Sequence, residues 1–315
     1  MKQVILVTGG AGFIGSHLCR RLIEKEFEVY CLDNFDPYYD PNLKRDNIAD
    51  LMKEENFHLK EGNILDTKLV KEIINENNIR YIFHEAAQPG VRFSIKNPIK
   101  TNNVNVVGTL HILQAALNSN VKKIIFGSSS SIYGTVHYLP FDEDHPKNPL
   151  SPYGVSKLAA EHLLRIFYEI YGLDYISLRY FTVFGPKMRP DLAISIFTYK
   201  ALQNSNIAIF GDGKKTRDFT YIDNIIEANM LAMKKGRGEL NIGAGNRISI
   251  LELAQKIIRI INSQSKILFL DDIKGDVYHT FANVEKAKKV LGYSPKINLE
   301  GGLRIYIKYI KSNLK

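Results

Sequence analysis

The 315-residue sequence has little cysteine and no long apolar run, and each shortage excludes a class of protein. Cys19 and Cys31 form no C-x-x-C pair, so we expect two reduced, buried thiols. The eight histidines form no H-E-x-x-H pattern, and we expect no metal site. No stretch of about 18 consecutive apolar residues occurs, which predicts no transmembrane helix. The first residues run into a glycine-rich turn and do not resemble a signal peptide, so a cytoplasmic location is expected.

The net charge of +9 comes from lysines and arginines that are spread along the whole chain. No tail or single helix collects them, and no motif of alternating aromatic and basic residues is present, which argues against nucleic-acid binding. A generally basic surface attracts small anionic molecules. We therefore expect an anionic small-molecule substrate and neither a nucleic-acid nor a membrane partner.

The first half of the chain alternates short β-branched runs with helical patterns. Strands are predicted at 4–8, 28–33, 57–61, 81–84, 123–128 and 175–180, and helices at 13–25, 68–77, 109–118 and 152–171. Strands that alternate with helices form right-handed βαβ units. The pattern therefore predicts a doubly wound, Rossmann-type α/β fold with a parallel sheet, to which we assign residues 1–180.

The pattern changes after residue 180, where Gly185-Pro186 and Arg189-Pro190 interrupt it. Helices are predicted at 194–203, near 284–291 and at 299–312, with a short apolar run at 207–210. We interpret residues 181–315 as a smaller α/β substrate-binding lobe. Segments near 222–261 are candidates for a return to the first domain.

A glycine-rich turn connects the first predicted strand to the first helix. Its glycines are Gly9, Gly12 and Gly15. Glycine allows the tight turn and the close approach of a pyrophosphate, while the N-terminus of the following helix favours phosphate. Asp33 ends the second strand, where a carboxylate binds the ribose hydroxyls of NAD and repels the 2′-phosphate of NADP. The cofactor is therefore predicted to be NAD.

Tyr153 and Lys157 lie four residues apart at the start of the long predicted helix, which places them on one face. A tyrosine near its ordinary pKa of about 10 is a poor base at neutral pH. We expect the ammonium of Lys157 and a positively charged nicotinamide to lower the pKa of Tyr153. A serine run at 128–131 ends the fifth predicted strand, where doubly wound folds bind ligands. Together these features predict a catalytic site of serine, tyrosine and lysine.

These motifs resemble those of the extended short-chain dehydrogenase/reductase family, and in particular its NAD-dependent nucleotide-sugar epimerases and dehydratases. The resemblance covers nearly the whole chain and rests on residues 8–17, Asp33-Asn34, Ala86-Ala87, Asn105 with Gly108-Thr109, residues 128–134, Tyr153 with Lys157, Arg217-Asp218 and Gly275-Asp276-Val277. It implies a UDP-sugar as the substrate and a homodimer that forms through two helices.

The resemblance also implies roles for individual residues. The catalytic positions are Ser129, Tyr153 and Lys157. The cofactor-binding positions are Gly9, Gly12, Phe13, Ile14, Gly15, Asp33, Asn34, Asn63, Ile64, Ala86, Ala87, Asn105, Ser128, Tyr153, Lys157 and Phe181. The substrate-binding positions are Ser129, Ser130, Thr182, Arg189, Ala208, Phe210, Arg217 and Asp276, with Arg217 at the diphosphate and Ala208 and Phe210 beside the uracil. Two positions depart from the family pattern: Asn63 replaces an aspartate at the adenine, and Ile273 replaces an arginine at the nucleotide, for which Lys274 is a candidate substitute.

A C4 epimerase is the reaction that fits these residues best. Tyr153 can take the C4 hydroxyl proton while NAD takes the hydride, and the 4-keto sugar can turn over and be reduced on its other face. The family's 4,6-dehydratases carry Asp-Glu after the catalytic threonine, where Ser130 and Ser131 stand here. A net reductase would need NADPH, which Asp33 disfavours. A non-catalytic dinucleotide-binding regulator typically lacks the tyrosine or the lysine, and both are present.

Three stretches resemble UDP-glucuronate 4-epimerases more than UDP-glucose 4-epimerases, namely residues 38–44, 87–94 and 181–193. UDP-glucose and an N-acetylated UDP-sugar stay open as alternatives. We expect Arg189 and Thr182 to bind the C6 carboxylate of the sugar, because arginine holds a carboxylate through two parallel hydrogen bonds. The alternative is that Arg189, close to Asp191, only braces its loop.

Overall fold

The computed structural model of the chain describes residues 2–272 and 277–313. Its strands in chain order are β1 (Val4–Thr8), β2 (Glu28–Asp33), β3 (Phe57–Glu61), β4 (Tyr81–His84), β5 (Lys123–Ser129), β6 (Asp174–Tyr180), β7 (Thr182–Phe184), β8 (Ile207–Phe210), β9 (Thr216–Arg217), β10 (Phe219–Tyr221), β11 (Gly238–Ile242), β12 (Ile248–Ser249) and β13 (Ile267–Leu270). Seven of these described strands form one parallel sheet in the order β11-β6-β5-β4-β1-β2-β3. The chain steps outward from β1 in both directions, which confirms the predicted doubly wound fold.

Helices connect the strands, with bounds close to the predicted ones where both exist. They are α1 (Phe13–Glu24), α2 (Pro41–Ile48), α3 (Thr67–Glu76), α4 (Val91–Lys96), α5 (Pro98–Asn102), α6 (Gly108–Leu117), α7 (Pro152–Tyr171), α8 (Ala193–Leu202), α9 (Ile222–Lys234), α10 (Ile250–Ile261), α11 (Glu285–Leu291) and α12 (Leu299–Asn313). Helix α7 has the predicted bounds because the Ser151 side chain accepts the Gly154 N–H at 3.1 Å at its start, and Gly172 adopts a left-handed φ of 73° at its end. No helix in the two described ranges is long and apolar enough to cross a membrane.

The strands of the sheet are apolar on both faces because helices cover both. Ile5 and Val7 of β1 point into one core, which also contains Leu18 of α1. Leu6 points to the opposite face, into a second core that contains Ile112 of α6. All five side chains are fully buried. Alternation along a strand that is covered on both sides thus produces the continuous apolar run from which β1 was predicted.

The smaller lobe is built from short strand pairs and helices. β7 pairs with β10 and β8 with β13, both in parallel, and α8, α10 and α12 pack beside them. Within the segment expected to return to the first domain (222–261), α9 contacts α1, β5 and β6, and β11 pairs with β6. Helix α10 instead contacts α8, α12 and β8. The chain therefore passes from the sheet to the lobe, returns to the sheet with α9 and β11, and enters the lobe again with α10. It returns to the sheet once more with α11, which contacts β11 and α9, and α12 then packs in the lobe.

Candidate active site

A cavity of about 490 Å³ lies where the carboxyl ends of the sheet strands face the smaller lobe. Doubly wound sheets bind their ligands at this edge. The predicted site residues that line it are Gly9, Gly12, Phe13, Ile14, Gly15, Asp33, Asn34, Asn63, Ile64, Ala86, Ala87, Ser128, Ser129, Ser130, Tyr153, Lys157, Phe181, Thr182, Arg189 and Arg217. One cavity thus brings together residues predicted separately for the cofactor and for the substrate.

The glycine turn between β1 and α1 is packed tightly at Gly9 and Gly15, as the dinucleotide-binding motif requires. A side chain at Gly9, whose φ is 68°, would lie 2.7 Å from the backbone nitrogen of Ala86, and a side chain at Gly15 would overlap the carbonyl of Gly9. At Gly12 the neighbour within 4 Å among the described residues is the Gly9 carbonyl oxygen, at 3.1 Å. A side chain at Gly12 would therefore occupy open cavity space, which a pyrophosphate can fill when glycine stands there.

Asp33 is held in place by the chain around it. Its carboxylate accepts hydrogen bonds from the backbone N–H groups of Ala11 at 3.1 Å and Phe35 at 2.8 Å. Lys44 Nζ lies 3.5 Å from Asp33 Oδ1, and both side chains are largely buried. Asn47 of the same helix α2 donates to the Ala11 carbonyl at 3.0 Å. The carboxylate thus fixes the glycine turn besides facing the cavity, a role that no motif in the sequence indicates.

The three predicted catalytic residues come together at one end of the cavity. Tyr153 and Lys157 occupy the first two turns of α7, and Ser129 ends β5. The Ser129 hydroxyl forms a hydrogen bond with the phenol of Tyr153. Lys157 Nζ donates to the Gly127 carbonyl at 2.7 Å, and this side chain is almost fully buried. A hydroxyl donor, a phenol and a fixed ammonium therefore surround the same space.

The acid–base state of this group differs from the expectation. Burial raises the pKa of Tyr153 above its ordinary value, and the Ser129 hydroxyl and the charge of Arg189 oppose that rise. Burial also lowers the pKa of Lys157 to about 8, opposed by the carboxylates of Glu85 and Glu161. The expected lowering of the Tyr153 pKa is wrong for the protein alone, because burial of the phenol has the larger effect.

A buried polar network behind the cavity carries no motif and was not predicted. Ser128 Oγ donates to Glu161 at 2.5 Å, and Arg179 of β6 donates to the same carboxylate at 2.8 Å. Arg179 also donates to the Tyr133 hydroxyl at 3.0 Å. Glu161 stands one helical turn after Lys157, and this spacing is the signal that could have identified it. The network fixes α7 against β5 and β6 and thereby holds the catalytic residues in register.

Asn105 was predicted to bind the cofactor, but it does not belong to the described lining of the cavity. It is buried, accepts the Gln88 N–H at 2.7 Å and donates to Ser156 Oγ at 2.9 Å. Its position behind the loop that follows β4 explains the difference, because that loop lies between Asn105 and the cavity. The side chain braces the loop that carries Ala86 and Ala87.

Of the residues predicted to bind the nucleotide of the substrate, some line the cavity and others do not. Arg217 lines the cavity and donates to the carbonyl of Tyr278 at 3.2 Å. Ala208 and Phe210 lie on the exposed face of β8 and do not belong to the described lining, because alternation turns Ile207 and Ile209 inward. Asp276 lies outside the described residues, as do Ile273 and Lys274.

Arg189 lines the cavity and is also engaged within its own loop. Its Nε donates to Asp191 at 3.1 Å, and its guanidinium carbon lies 5.4 Å from the centre of the Tyr38 ring. The Tyr38 hydroxyl donates to the same carboxylate at 3.1 Å, which joins the loop after β2 to the lobe. Thr182, the first residue of β7, lines the cavity nearby. Loop bracing and access to the cavity thus occur together at Arg189.

The sequence matches known proteins over almost its whole length. A family model described as GDP-mannose 4,6 dehydratase matches residues 6–306. A UDP-glucuronate 4-epimerase of Thermodesulfobacterium geofontis is 39% identical over 313 residues, which cover 98% of this chain and 97% of that protein. A putative UDP-glucose 4-epimerase of Methanocaldococcus jannaschii is 38% identical, with 98% of this chain and 99% of that protein covered.

A solved structure has the same fold throughout. The crystal structure of a UDP-glucuronic acid 4-epimerase from Bacillus cereus, in complex with UDP-glucuronic acid and NAD, superposes with a TM-score of 0.93 at 36% identity. The superposition covers 99% of this chain and 100% of that one. The sheet and the lobe on either side of the cavity therefore both have counterparts in that protein.

Proposed function

Because the chain belongs to the nucleotide-sugar epimerase and dehydratase group of the extended short-chain dehydrogenase/reductase family, we propose that its substrate is UDP-glucuronate, epimerised at C4. The chain is an NAD-dependent UDP-sugar 4-epimerase. The observation that carries the choice of sugar is that Arg189 lines the cavity together with Tyr153 and that its positive charge acts on the Tyr153 phenol. A carboxylate two bonds from the reacting carbon can therefore reach this arginine.

The residues present fit NAD. The glycine turn leaves space at Gly12 for a pyrophosphate, and the N-terminus of α1 provides N–H groups for its charge. Asp33, Phe181 and Tyr153 line the same cavity, which supports Asp33 as the partner of the ribose hydroxyls. Bound NAD supplies reversible uptake of the C4 hydride. No net oxidant is consumed, because the same hydride is returned to the sugar.

The chain's own residues move and stabilise the proton. Tyr153, as the phenolate, takes the proton of the C4 hydroxyl as the carbon is oxidised, and gives it back when the keto oxygen is reduced. Ser129 donates a hydrogen bond to that oxygen, and Lys157 keeps positive charge beside the site. Ser130 and Ser131 offer no acid for the elimination of water. The 4-keto sugar is therefore expected to turn over and be reduced without dehydration.

Recognition of a uronic acid also serves the chemistry. Its 4-keto form is a β-keto acid, which loses CO₂ readily. Arg189 can hold the carboxylate through charged hydrogen bonds, with the Thr182 hydroxyl as a further donor. Such donors keep the negative charge on the carboxylate and slow the loss of CO₂. Asp191 is the present partner of Arg189 at 3.1 Å, and it leaves the remaining guanidinium donors for a ligand.

The experiment is a product assay with UDP-glucuronate, UDP-glucose and their N-acetyl counterparts, for wild type, Arg189→Ala and Asp191→Asn. Arg189→Ala should lower kcat/KM for UDP-glucuronate much more than for UDP-glucose, by about 2–3 kcal/mol. Asp191→Asn is the matched control, because it breaks the loop ion pair and keeps the arginine. If Arg189 only braces the loop, both variants should impair every sugar equally. That outcome, or a wild type that prefers UDP-glucose, would replace this proposal by the UDP-glucose assignment.

We also propose that the protein is a homodimer. Three apolar side chains form an exposed stripe on α7: Val155 is 53% exposed, Ile166 38% and Ile170 65%. Ile99 on the adjacent helix α5 is 76% exposed. A contiguous apolar face of this kind is typical of an interface. Sedimentation should give twice the chain mass for wild type and a lower mass for Ile166→Glu. The cytoplasmic location stays a prediction.

A further inference from the structure

Glu85 is a carboxyl group inside the cavity to which the catalytic scheme assigns no role. It directly follows β4, and its side chain extends across β5. A side chain on Gly127 of β5 would overlap the Glu85 carboxyl group. The absence of a side chain at 127 thus provides the space in which this carboxyl group lies.

Polar contacts fix Glu85 next to the catalytic lysine. The Tyr180 hydroxyl donates to Glu85 Oε1 at 2.8 Å, and the Asn229 amide donates to the Tyr180 oxygen at 2.8 Å. The Tyr180 hydroxyl also lies 3.1 Å from Asn229 Oδ1, so this amide oxygen competes with the nearer Glu85 carboxylate for the phenolic proton. Lys157 Nζ donates to the carbonyl of Gly127 at 2.7 Å. Carboxylate and ammonium are therefore arranged around the same glycine.

Among the described residues, the titratable groups that interact with Glu85 are Lys157 and Tyr153 of α7 and Tyr180 of β6. The preceding residue, His84 of β4, instead interacts with the hydroxyls of Thr8 and Thr109. Burial lowers the pKa of His84 to about 3, so this imidazole is neutral. Burial raises the pKa of Glu85 to about 7, opposed by the Tyr180 hydroxyl and the Lys157 charge. Glu85 in turn raises the pKa of both Lys157 and Tyr153.

We propose that Glu85 is a positioning residue, the counter-charge that holds Lys157 as an ammonium and sets the basicity of Tyr153. The proposal rests on the epimerase function, since Tyr153 is the base of that reaction. Ionised Glu85 compensates the charge of Lys157. When Glu85 takes up a proton, the lysine charge is uncompensated and favours the Tyr153 phenolate. Ionised Glu85 thus makes the Tyr153 phenolate a stronger base and also makes the fraction of Tyr153 present as phenolate smaller.

The test is the pH profile of kcat for wild type and Glu85→Gln, with whichever UDP-sugar the wild type converts. Glutamine keeps the acceptor for Tyr180 and removes the charge. The acidic limb of the profile should shift to lower pH by about one unit, which is the lower end of the pKa shift that a nearby charge causes. The plateau should fall, because a less basic phenolate takes the proton more slowly. A lower plateau with an unmoved acidic limb would overturn the proposal and leave Glu85 a structural role.

Tyr180→Phe is the matched control and also the second route to an answer. It removes the donor that lowers the pKa of Glu85, so Glu85 becomes neutral at higher pH while the residue itself is retained. The acidic limb should move in the same direction as in Glu85→Gln. If Glu85→Gln fails to fold, Tyr180→Phe decides: an acidic limb equal to that of wild type overturns the proposal.

A readout without catalysis separates this proposal from the epimerase function. A carboxyl group whose pKa is raised by folding contributes stability at low pH that is lost as pH rises from its unfolded to its folded value. The Tm of wild type relative to Glu85→Gln should therefore fall as pH rises from 4.5 to about 7. In a Lys157→Met background the fall should extend to higher pH, because the charge that opposes the rise in the folded pKa of Glu85 is gone. A difference in Tm that is constant with pH, or indifferent to Lys157, refutes the counter-charge role even if no sugar is converted.

Discussion

Replacing Asp33 by alanine should destabilise the protein as well as change its cofactor preference. The carboxylate accepts hydrogen bonds from the N–H groups of Ala11 at 3.1 Å and Phe35 at 2.8 Å, and Lys44 Nζ lies at 3.5 Å. The side chains of Asp33 and Lys44 are 4% and 10% exposed. The substitution therefore deprives two backbone donors and one largely buried charge of their shared acceptor.

The magnitude follows from these contacts. A hydrogen bond to a charged group contributes about 1.5–3 kcal/mol, and removing one member of a buried ion pair costs about 3–5 kcal/mol. The contributions overlap because all three contacts end on one carboxyl group, and the Lys44 contact is long. We expect Asp33→Ala to lower the free energy of unfolding by about 4 kcal/mol. Asp33→Asn keeps an acceptor for Phe35 and should lose roughly 2 kcal/mol.

Urea unfolding followed by circular dichroism measures the loss, without added NAD and with NAD at saturation. Lys44→Met is the control: combined with Asp33→Asn it removes the unpaired charge, so the double variant should be more stable than Asp33→Ala. Calorimetric titration of the same variants with NAD and NADP should show a preference for NAD that narrows in Asp33→Ala. An Asp33→Ala protein as stable as wild type, or a wild type that binds NADP more tightly, would refute the reasoning.

Four other substitutions test the site and its support. Tyr153→Phe should lower kcat by about 10²–10⁴-fold with an unchanged Tm, and Lys157→Met should lower kcat by a similar factor. The measurement is product formation from the preferred UDP-sugar. Near-normal turnover in Tyr153→Phe would mean that another residue is the base. Arg179→Met leaves the buried Glu161 carboxylate unpaired and should cost about 3–5 kcal/mol in urea unfolding, part of which Glu161→Gln should restore. Asp218→Ala removes the acceptor of three backbone N–H groups and should cost about 3 kcal/mol or more; a Tm equal to that of wild type would contradict this.

The predictable part of the fold is the part with strong local signals. Helix α7 was predicted with the bounds that the structure has, and a serine cap, an N-terminal proline and a C-terminal glycine mark its ends. Helices α2, α4 and α5 were not predicted, since five to eight residues show no clear period and their packing decides their conformation. Tertiary contacts that have no local signal thus account for these three helices. Helices α9 and α10 were also not predicted, although they have 13 and 12 residues and Ser249 and Glu252 form a capping box at the start of α10.

The candidate site shows the same difference between residues that have a local sequence signal and residues that do not. Residues carried by motifs, such as Asp33, Ser129 and Tyr153, meet because the carboxyl ends of parallel strands share one edge of the sheet. Glu85 and Glu161 belong to the same region, but their partners Tyr180 and Arg179 lie on another strand, distant in sequence. No spacing rule connects such pairs before the sheet order is known. Sequence patterns therefore identify the predicted catalytic residues better than the buried charged residues beside them.

The position of β11 has a consequence for how the chain is made. This strand completes the sheet by pairing with β6 over Gly238–Ile242, yet it follows β7 to β10 of the lobe in sequence. During synthesis, β6 therefore emerges from the ribosome with an unpaired edge, and it stays unpaired until residue 242 has followed. A fragment cut at residue 180 would keep that apolar edge permanently and is expected to aggregate. The part of the chain that forms the large sheet can finish folding only after much of the smaller lobe has been translated.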